Sequence, residues 1–69
     1  MTEDIRKLMH AVPFVPFTLH LADSGRLRVE TRDLLSISSD GERIHLFDEK
    51  GNWHLIPSSM ITRLTVAKD

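Results

Sequence analysis

The chain has 69 residues, no cysteine and a formal net charge of −1. This length allows a single domain, 1–69, because two domains would each lack a core. The charge balance argues against strong non-specific binding to nucleic acid, and the lack of cysteine excludes disulfides and thiolate ligands. No apolar run approaches the roughly 20 residues that cross a bilayer, and the first residues are acidic. We therefore expect a cytoplasmic protein without membrane association.

The first twelve residues carry a helical pattern. Apolar side chains recur at the spacing of one helix face, at Ile5, Leu8, Met9 and Val12. Thr2 is a suitable N-cap, and Pro13 stops a helix at the residue before it. The pattern predicts a helix over 1–12, whose apolar face must pack against the rest of the chain or another subunit.

Residues 17–66 alternate between apolar and polar side chains, which is typical of half-buried β-strands. Glycine-bearing turns near Gly25, Gly41 and Gly51 divide this region into short segments. We predict a mainly β, α+β fold: a helix followed by a meander of five antiparallel strands, with a second strand that bends or breaks near 31–33. So small a meander is best closed as a bent Sm-like or SH3-like barrel. Residues 67–69 are a tail.

The first two turns predict specific strand registers. A three-residue loop with Gly25 in the left-handed position places Leu21 opposite Leu27. Asp40-Gly41 is typical of a two-residue type I′ turn, which places Ile37 opposite Ile44. In the final strand we expect Leu64 and Val66 on one face and Ile61 on the other.

The third turn allows two loop lengths. A four-residue loop over 48–51 places Trp53 opposite Leu46 and Leu55 opposite Ile44, and a two-residue loop over 50–51 preserves the same faces. Both versions predict that Trp53 belongs to the core. Ile56 then lies on the wetter face.

This pattern resembles the Sm/Hfq-like family of small barrels. The resemblance rests on Phe17-Thr18-Leu19-His20-Leu21 and on Trp53-His54-Leu55-Ile56-Pro57 leading to Ile61-Thr62-Arg63-Leu64-Thr65-Val66. It implies a small barrel and, as one function, binding of single-stranded RNA. The family's RNA-contacting residues do not carry over, because no Asn follows Asp33 and Ser58-Ser59 stands where Hfq has a Lys-His pair. The segment 12–18 also looks like the Pro-Phe opening of small uncharacterised bacterial proteins.

His45 and His54 are the candidate metal ligands. In the four-residue-loop register they face each other across a hairpin, about 5 Å apart at Cβ. A tight site needs three or four ligands, and only Ser36 and Asp48 lie nearby in the pattern. We interpret the pair as part of a solvated strand face and predict no metal and no cofactor.

Arg26 and Arg28 share the outer face of the second strand, and Arg43 lies on the same nominal side. These three arginines are the candidate nucleic-acid contacts. The simpler interpretation is a solvated face whose charges oppose edge aggregation.

The spare apolar residues Phe14, Val15, Phe47 and Ile56 are the candidates for self-association. No phosphate-binding glycine loop and no Ser-His-carboxylate set is present, so we do not expect an enzyme. The predicted function is a non-enzymatic binding or assembly module that forms a homo-oligomer or binds another protein. The alternative is an Sm-like protein that binds single-stranded RNA or DNA.

Overall fold

The computed structural model describes residues 1–67, which are mainly β with one N-terminal helix. The elements in chain order are α1 (Thr2–Met9), β1 (Phe17–Leu21), β2 (Arg26–Val29), the 3₁₀ turn η1 (Arg32–Leu34), β3 (Leu35–Ile37), β4 (Arg43–Phe47), β5 (Trp53–Pro57), the 3₁₀ turn η2 (Ser58–Met60) and β6 (Ile61–Val66). The predicted α+β, mainly β class is confirmed. Beyond residue 67, the predicted tail lies outside the described residues.

The strands of residues 1–67 number six rather than five, and they do not close into a barrel. They form two three-stranded antiparallel sheets, ordered β2-β1-β6 and β3-β4-β5. The difference from the predicted single meander arises at η1, which ends β2 and starts β3, so that these two strands join different sheets. A break near residues 31–33 was one of the two predicted outcomes.

Helix α1 ends at Met9, three residues before the predicted end. Ile5 is fully buried in the core, but Val12 is 88% exposed and does not belong to the buried stripe. The conformational restriction that Pro13 places on the residue before it opposes a longer helix. The exposed Val12 side chain makes no core contact that would offset the cost of a helical conformation at this residue.

Hydrogen bonds from side chains to main-chain carbonyls anchor the helix and the segment that follows it. Thr2 does not act as an N-cap; its hydroxyl donates a hydrogen bond to the Gly41 carbonyl at 3.1 Å and so joins α1 to the β3–β4 turn. Arg32 of η1 donates to the Ala11 carbonyl at 2.8 Å.

The β1–β2 hairpin is shifted by two residues from the predicted register. Leu19, rather than Leu21, lies opposite Leu27. The loop spans residues 22–24, and Ser24 takes the left-handed conformation with φ 71° that we predicted for the glycine. A shift of two residues leaves every side chain on its predicted face.

Strand β6 returns through η2 to pair with the free side of β1. The register shifts between His20, which lies opposite Arg63, and Leu21, which lies opposite Ile61. This bulge turns both Ile61 and Leu64 towards the core. The predicted placement of Ile61 on the opposite face is therefore wrong.

The β3–β4 register is confirmed, because Ile37 lies opposite Ile44. The turn type is different. Type I′ requires positive φ at both central residues, whereas Gly41 has φ 74° and Asp40 is not in the left-handed region.

The β4–β5 hairpin lies one residue away from both registers that the sequence suggested. Its loop has three residues, 49–51, and it places Ile56 opposite Ile44 and Trp53 opposite Phe47. Because a change of one residue reverses both faces of a strand, Ile56 is buried and Trp53 is on the outside. Both predictions for these side chains are wrong.

The two sheets and α1 enclose one apolar core. Its buried side chains are Ile5, Phe17, Leu19, Val29, Leu35, Ile44, Leu46, Ile56 and Ile61. None of the helical segments within residues 1–67 is long and apolar enough to span a membrane.

Candidate functional site

The outer face of β4 and β5 carries a continuous apolar surface, which we call the aromatic face: Phe47, Trp53 and Leu55. The exposed fractions of these side chains are 48%, 56% and 58%. The Phe47 and Trp53 rings are stacked, with centroids 5.8 Å apart and an interplanar angle of 10°. Large apolar groups exposed side by side on a small protein indicate a contact surface rather than scattered surface residues.

His45 extends the aromatic face towards β3. It lies opposite Leu55 on one side and Ser36 on the other, and its ring centroid is 5.9 Å from that of Trp53. His54 pairs with Leu46 and therefore lies on the other face of the same sheet. The predicted arrangement of the two histidines side by side is wrong.

Residues 1–67 contain no group of three or more His, Asp or Glu side chains that could hold a metal ion. His54 instead makes a hydrogen bond through Nε2 to Asp48 Oδ2 at 2.8 Å. The histidine is therefore part of the hairpin's internal bonding.

Asp48 organises the loop that sets the β4–β5 register. Its carboxylate accepts hydrogen bonds from the main-chain N–H groups of Lys50 and Asn52, both at 2.9 Å, and from His54. The His54 hydrogen bond is the largest cause that lowers the pKa of Asp48 to about 2, and the loop N–H groups add to it. Gly51 completes the loop with φ 84°. This arrangement of an aspartate and a left-handed glycine is what turns Trp53 outwards.

Within residues 1–67, strand β5 is an edge strand that pairs with β4 on one side only. The Asp48 N–H donates to the Asn52 carbonyl at 3.0 Å, and at the other end the Ser58 N–H donates to the Glu42 carbonyl at 2.8 Å. Hydrogen-bonded and non-bonded pairs alternate in an antiparallel ladder. The even-numbered residues of β5 therefore face β4 with their main-chain groups.

The same alternation directs the N–H groups of Trp53 and Leu55 to the free side of the strand. The outward carbonyls belong to Trp53, Leu55 and Pro57, and Pro57 has no N–H. A free strand edge thus borders the aromatic face. The arrangement can bind an extended segment through its main chain and an apolar surface through its side chains.

The predicted self-association residues do not form one surface. Phe47 belongs to the aromatic face, but Ile56 is buried in the core. Phe14 packs on Phe17, with ring centroids 5.9 Å apart, and the Arg32 guanidinium lies over the Phe14 ring, 5.6 Å from its centroid. Val15 is half-buried in the same link.

The predicted nucleic-acid residues are also separated. Arg26 and Arg28 lie on β2, whereas Arg43 lies on β4 in the other sheet. Arg28 makes an ion pair with Glu30, which reduces its availability to a phosphate. The three arginines therefore do not form one basic strip.

The sequence analysis missed Trp53 and Leu55 as surface residues. A signal for them was present in Asp48 and Gly51, because a three-residue loop commonly combines a type I turn with a left-handed glycine at its third position. An aspartate before such a turn can accept hydrogen bonds from its N–H groups.

Comparison with known proteins gives no relatives: no family model, no curated protein and no solved structure matches the chain.

Proposed function

We propose that this protein is a non-enzymatic assembly module that associates with a second copy of itself through the β5 edge and the aromatic face. The observation that carries the proposal is the coincidence of free main-chain groups with exposed Trp53 and Leu55 on one strand. Each feature alone is a liability for a soluble protein, and pairing with another chain removes both.

The positions of the free N–H groups favour a two-fold arrangement centred on Leu55. In an antiparallel pair of two β5 strands, Leu55 would face Leu55 of the second copy and exchange two hydrogen bonds with it. Trp53 would face Pro57 and donate its N–H to the proline carbonyl. The missing N–H of Pro57 then removes only one bond at each end of the pair.

The apolar side chains would extend the contact beyond the strand edge. Trp53, Leu55 and Phe47 of both copies would lie on one continuous outer face across the joined sheet. Aromatic residues in the centre of an interface commonly contribute most of its binding energy. A strand pair without such flanking contacts is only marginally stable in water.

We also propose that the fold is an open relative of the Sm-like and SH3-like arrangements. The support is the path of the chain after η2, which brings β6 back to pair with β1.

Binding of single-stranded RNA or DNA is less well supported than self-association. The arginines expected to contact it lie on different sheets, and one of them is ion-paired. Association through apolar and main-chain contacts should withstand added salt, whereas binding dominated by phosphate contacts weakens steeply.

Light scattering after size exclusion, at tens of micromolar protein and at low and high salt, tests the proposal. We expect a dimer in both conditions. Leu55→Asp should give a monomer, because two carboxylates would meet at the symmetry axis. Ser36→Asp is the matched control, since Ser36 is exposed on the same face but on the opposite edge strand.

A second variant, Leu55→Pro, removes the central N–H group without taking a donor from the bonds to β4. It should also give a folded monomer. A monomeric wild type, or a dimer that survives both Leu55 substitutions, would refute this mode of assembly. Binding of a labelled oligonucleotide that falls steeply with salt would favour the nucleic-acid alternative.

A further inference from the structure

A cleft of about 460 Å³ lies beside the β1–β2 loop, on the sheet that does not carry the aromatic face. Its polar lining comes from His20, Ser24, Arg26, Thr62 and Arg63, and among the residues that the structure describes no acidic one lines it. The cleft therefore has a cationic wall and hydroxyl groups beside it.

Strand register creates this concentration of positive charge. On β1, His20 lies opposite Arg26 of β2 and opposite Arg63 of β6. The two guanidinium groups therefore flank one residue on the same face of the sheet, where like charges repel unless an anion compensates them. Within residues 1–67, neither arginine has an ion-pair partner in the protein.

The hydrogen bonds of His20 hold its ring beside the Arg63 guanidinium. Nε2 lies 2.7 Å from the Thr65 hydroxyl, and Nδ1 lies 3.4 Å from Nη2 of Arg63, which can only donate. Nδ1 is therefore the acceptor in this contact, which requires the neutral tautomer with its proton on Nε2. Desolvation lowers the pKa of His20, and the charges of Arg63 and Arg26 lower it further.

Asp23, Asp48 and Glu49 lie on neighbouring loops but do not line the cleft. Asp23 in the loop accepts a hydrogen bond from the Gly25 N–H at 2.9 Å. Asp48 and Glu49 line a separate cleft, which Arg26 also borders. Arg63 does not line that second cleft.

We propose that the cleft between Arg26 and Arg63 binds a compact tetrahedral dianion, a phosphate group. Guanidinium groups bind phosphate oxygens through paired N–H donors, and such charge-assisted bonds are among the stronger ones in proteins. The Ser24 hydroxyl offers a further donor at the cleft. An anion bound there would compensate the charges of Arg26 and Arg63.

Titration calorimetry with inorganic phosphate and with sulfate, at constant ionic strength set by chloride, tests this site. We expect saturable binding of both ions, with dissociation constants in the millimolar range typical of small ligands on open sites, about 1 mM. Arg63→Gln and Arg26→Gln should each weaken binding about tenfold, since each loses one charge-assisted contact. Arg43→Gln, which removes an arginine from the other sheet, should leave binding unchanged.

The imidazole of His20 provides an independent readout by NMR. Saturating sulfate, which stays a dianion across the titration, should raise the pKa of His20, because a nearby anion favours the charged ring. Arg63→Lys keeps the charge but loses the planar fork, so it should bind sulfate more weakly than the wild type while remaining folded.

Titration with a nucleoside monophosphate distinguishes a phosphate ester from free inorganic phosphate as the natural ligand. Tighter binding than inorganic phosphate indicates a phosphate ester, and equal binding indicates the free ion. The proposal is overturned by the absence of saturation at roughly 10 mM anion, well above the expected dissociation constant, or by equal losses in Arg63→Gln and Arg43→Gln. Binding of an oligonucleotide without binding of either small anion would also overturn it.

Discussion

The two sheets have the same number of strands and share one core, yet their outer faces differ in chemistry. The β2-β1-β6 sheet presents arginines and hydroxyl groups around His20, whereas the β3-β4-β5 sheet presents Phe47, Trp53 and Leu55. In each sheet the outer face follows from register: a bulge in β6 aligns cations in one, and a three-residue loop turns Trp53 outwards in the other. The comparison shows that small register changes decide which surface a β-rich module offers to its partners.

The largest effect is expected from truncating a residue of the β4–β5 hairpin that faces the core, and truncating an outward-facing residue provides the comparison. Leu46→Ala should cost roughly 2 to 5 kcal/mol, because Leu46 is fully buried. Trp53→Ala should cost about 1 kcal/mol, since mainly the stacking on Phe47 is lost. Chemical denaturation at protein concentrations that keep the chain monomeric measures both, and a larger loss for Trp53 would contradict the observed register.

Asp48→Asn tests the loop that sets the register. The pKa of Asp48 is lowered from 3.8 to about 2, so its contribution to stability is present above about pH 4 and is lost as the pH falls towards 2. The variant should be less stable at neutral pH and should show a weaker fall in stability between pH 4 and 2. Thermal unfolding across that range measures the effect.

Asp33 and Asp40 also have lowered pKa values, because each carboxylate accepts hydrogen bonds from neighbouring groups. These two carboxylates should account for the fall in stability at low pH that remains in the Asp48→Asn variant. An unchanged pH profile in the variant would show that the Asp48 network does not stabilise the hairpin.

Thr2→Val tests the bond that joins α1 to the second sheet. The Thr2 hydroxyl is partly buried and donates to Gly41, so its loss should cost roughly 0.5 to 1.5 kcal/mol. Equilibrium unfolding measures the change. Ser59→Ala, at an exposed hydroxyl on η2, should stay within about 0.5 kcal/mol of the wild type, and a similar loss in both variants would contradict a specific role for Thr2.

Zinc should have the smallest effect. His45 and His54 lie on opposite faces of their sheet, so they cannot bind one ion together. We expect no change in the thermal midpoint of the wild type when Zn²⁺ is added, and the double variant His45→Gln with His54→Gln should respond in the same way. A rise of several degrees that only the wild type shows would overturn this expectation.

The sequence correctly predicted which strand residues face the core where the turn and the apolar pattern allowed only one assignment. Asp40 and Gly41 fixed the Ile37–Ile44 pair, and the two-residue shift at β1–β2 changed partners without changing faces. These outcomes follow from the period of two in a strand, which tolerates even shifts.

The registers of β5 and β6 depended on single residues whose effect the apolar pattern does not reveal. The apolar residues of β5 include both Leu55 and Ile56, so either parity gives an apolar inner face. The hydrogen bonds of Asp48 and the left-handed conformation of Gly51 select the three-residue loop. The register shift between His20 and Leu21 likewise has no counterpart in the alternating pattern of the sequence, and it accompanies the placement of Arg63 opposite His20.

The shortness of strand β3 limits how many copies could join through the sheet edges. It has three residues, and it forms the far edge of the sheet that carries the aromatic face. A sheet joined at β5 would expose β3 at both of its ends, and so short a strand offers little main chain for a further copy. Growth by this route would stop at two chains, so the protein would form a closed particle rather than a fibre.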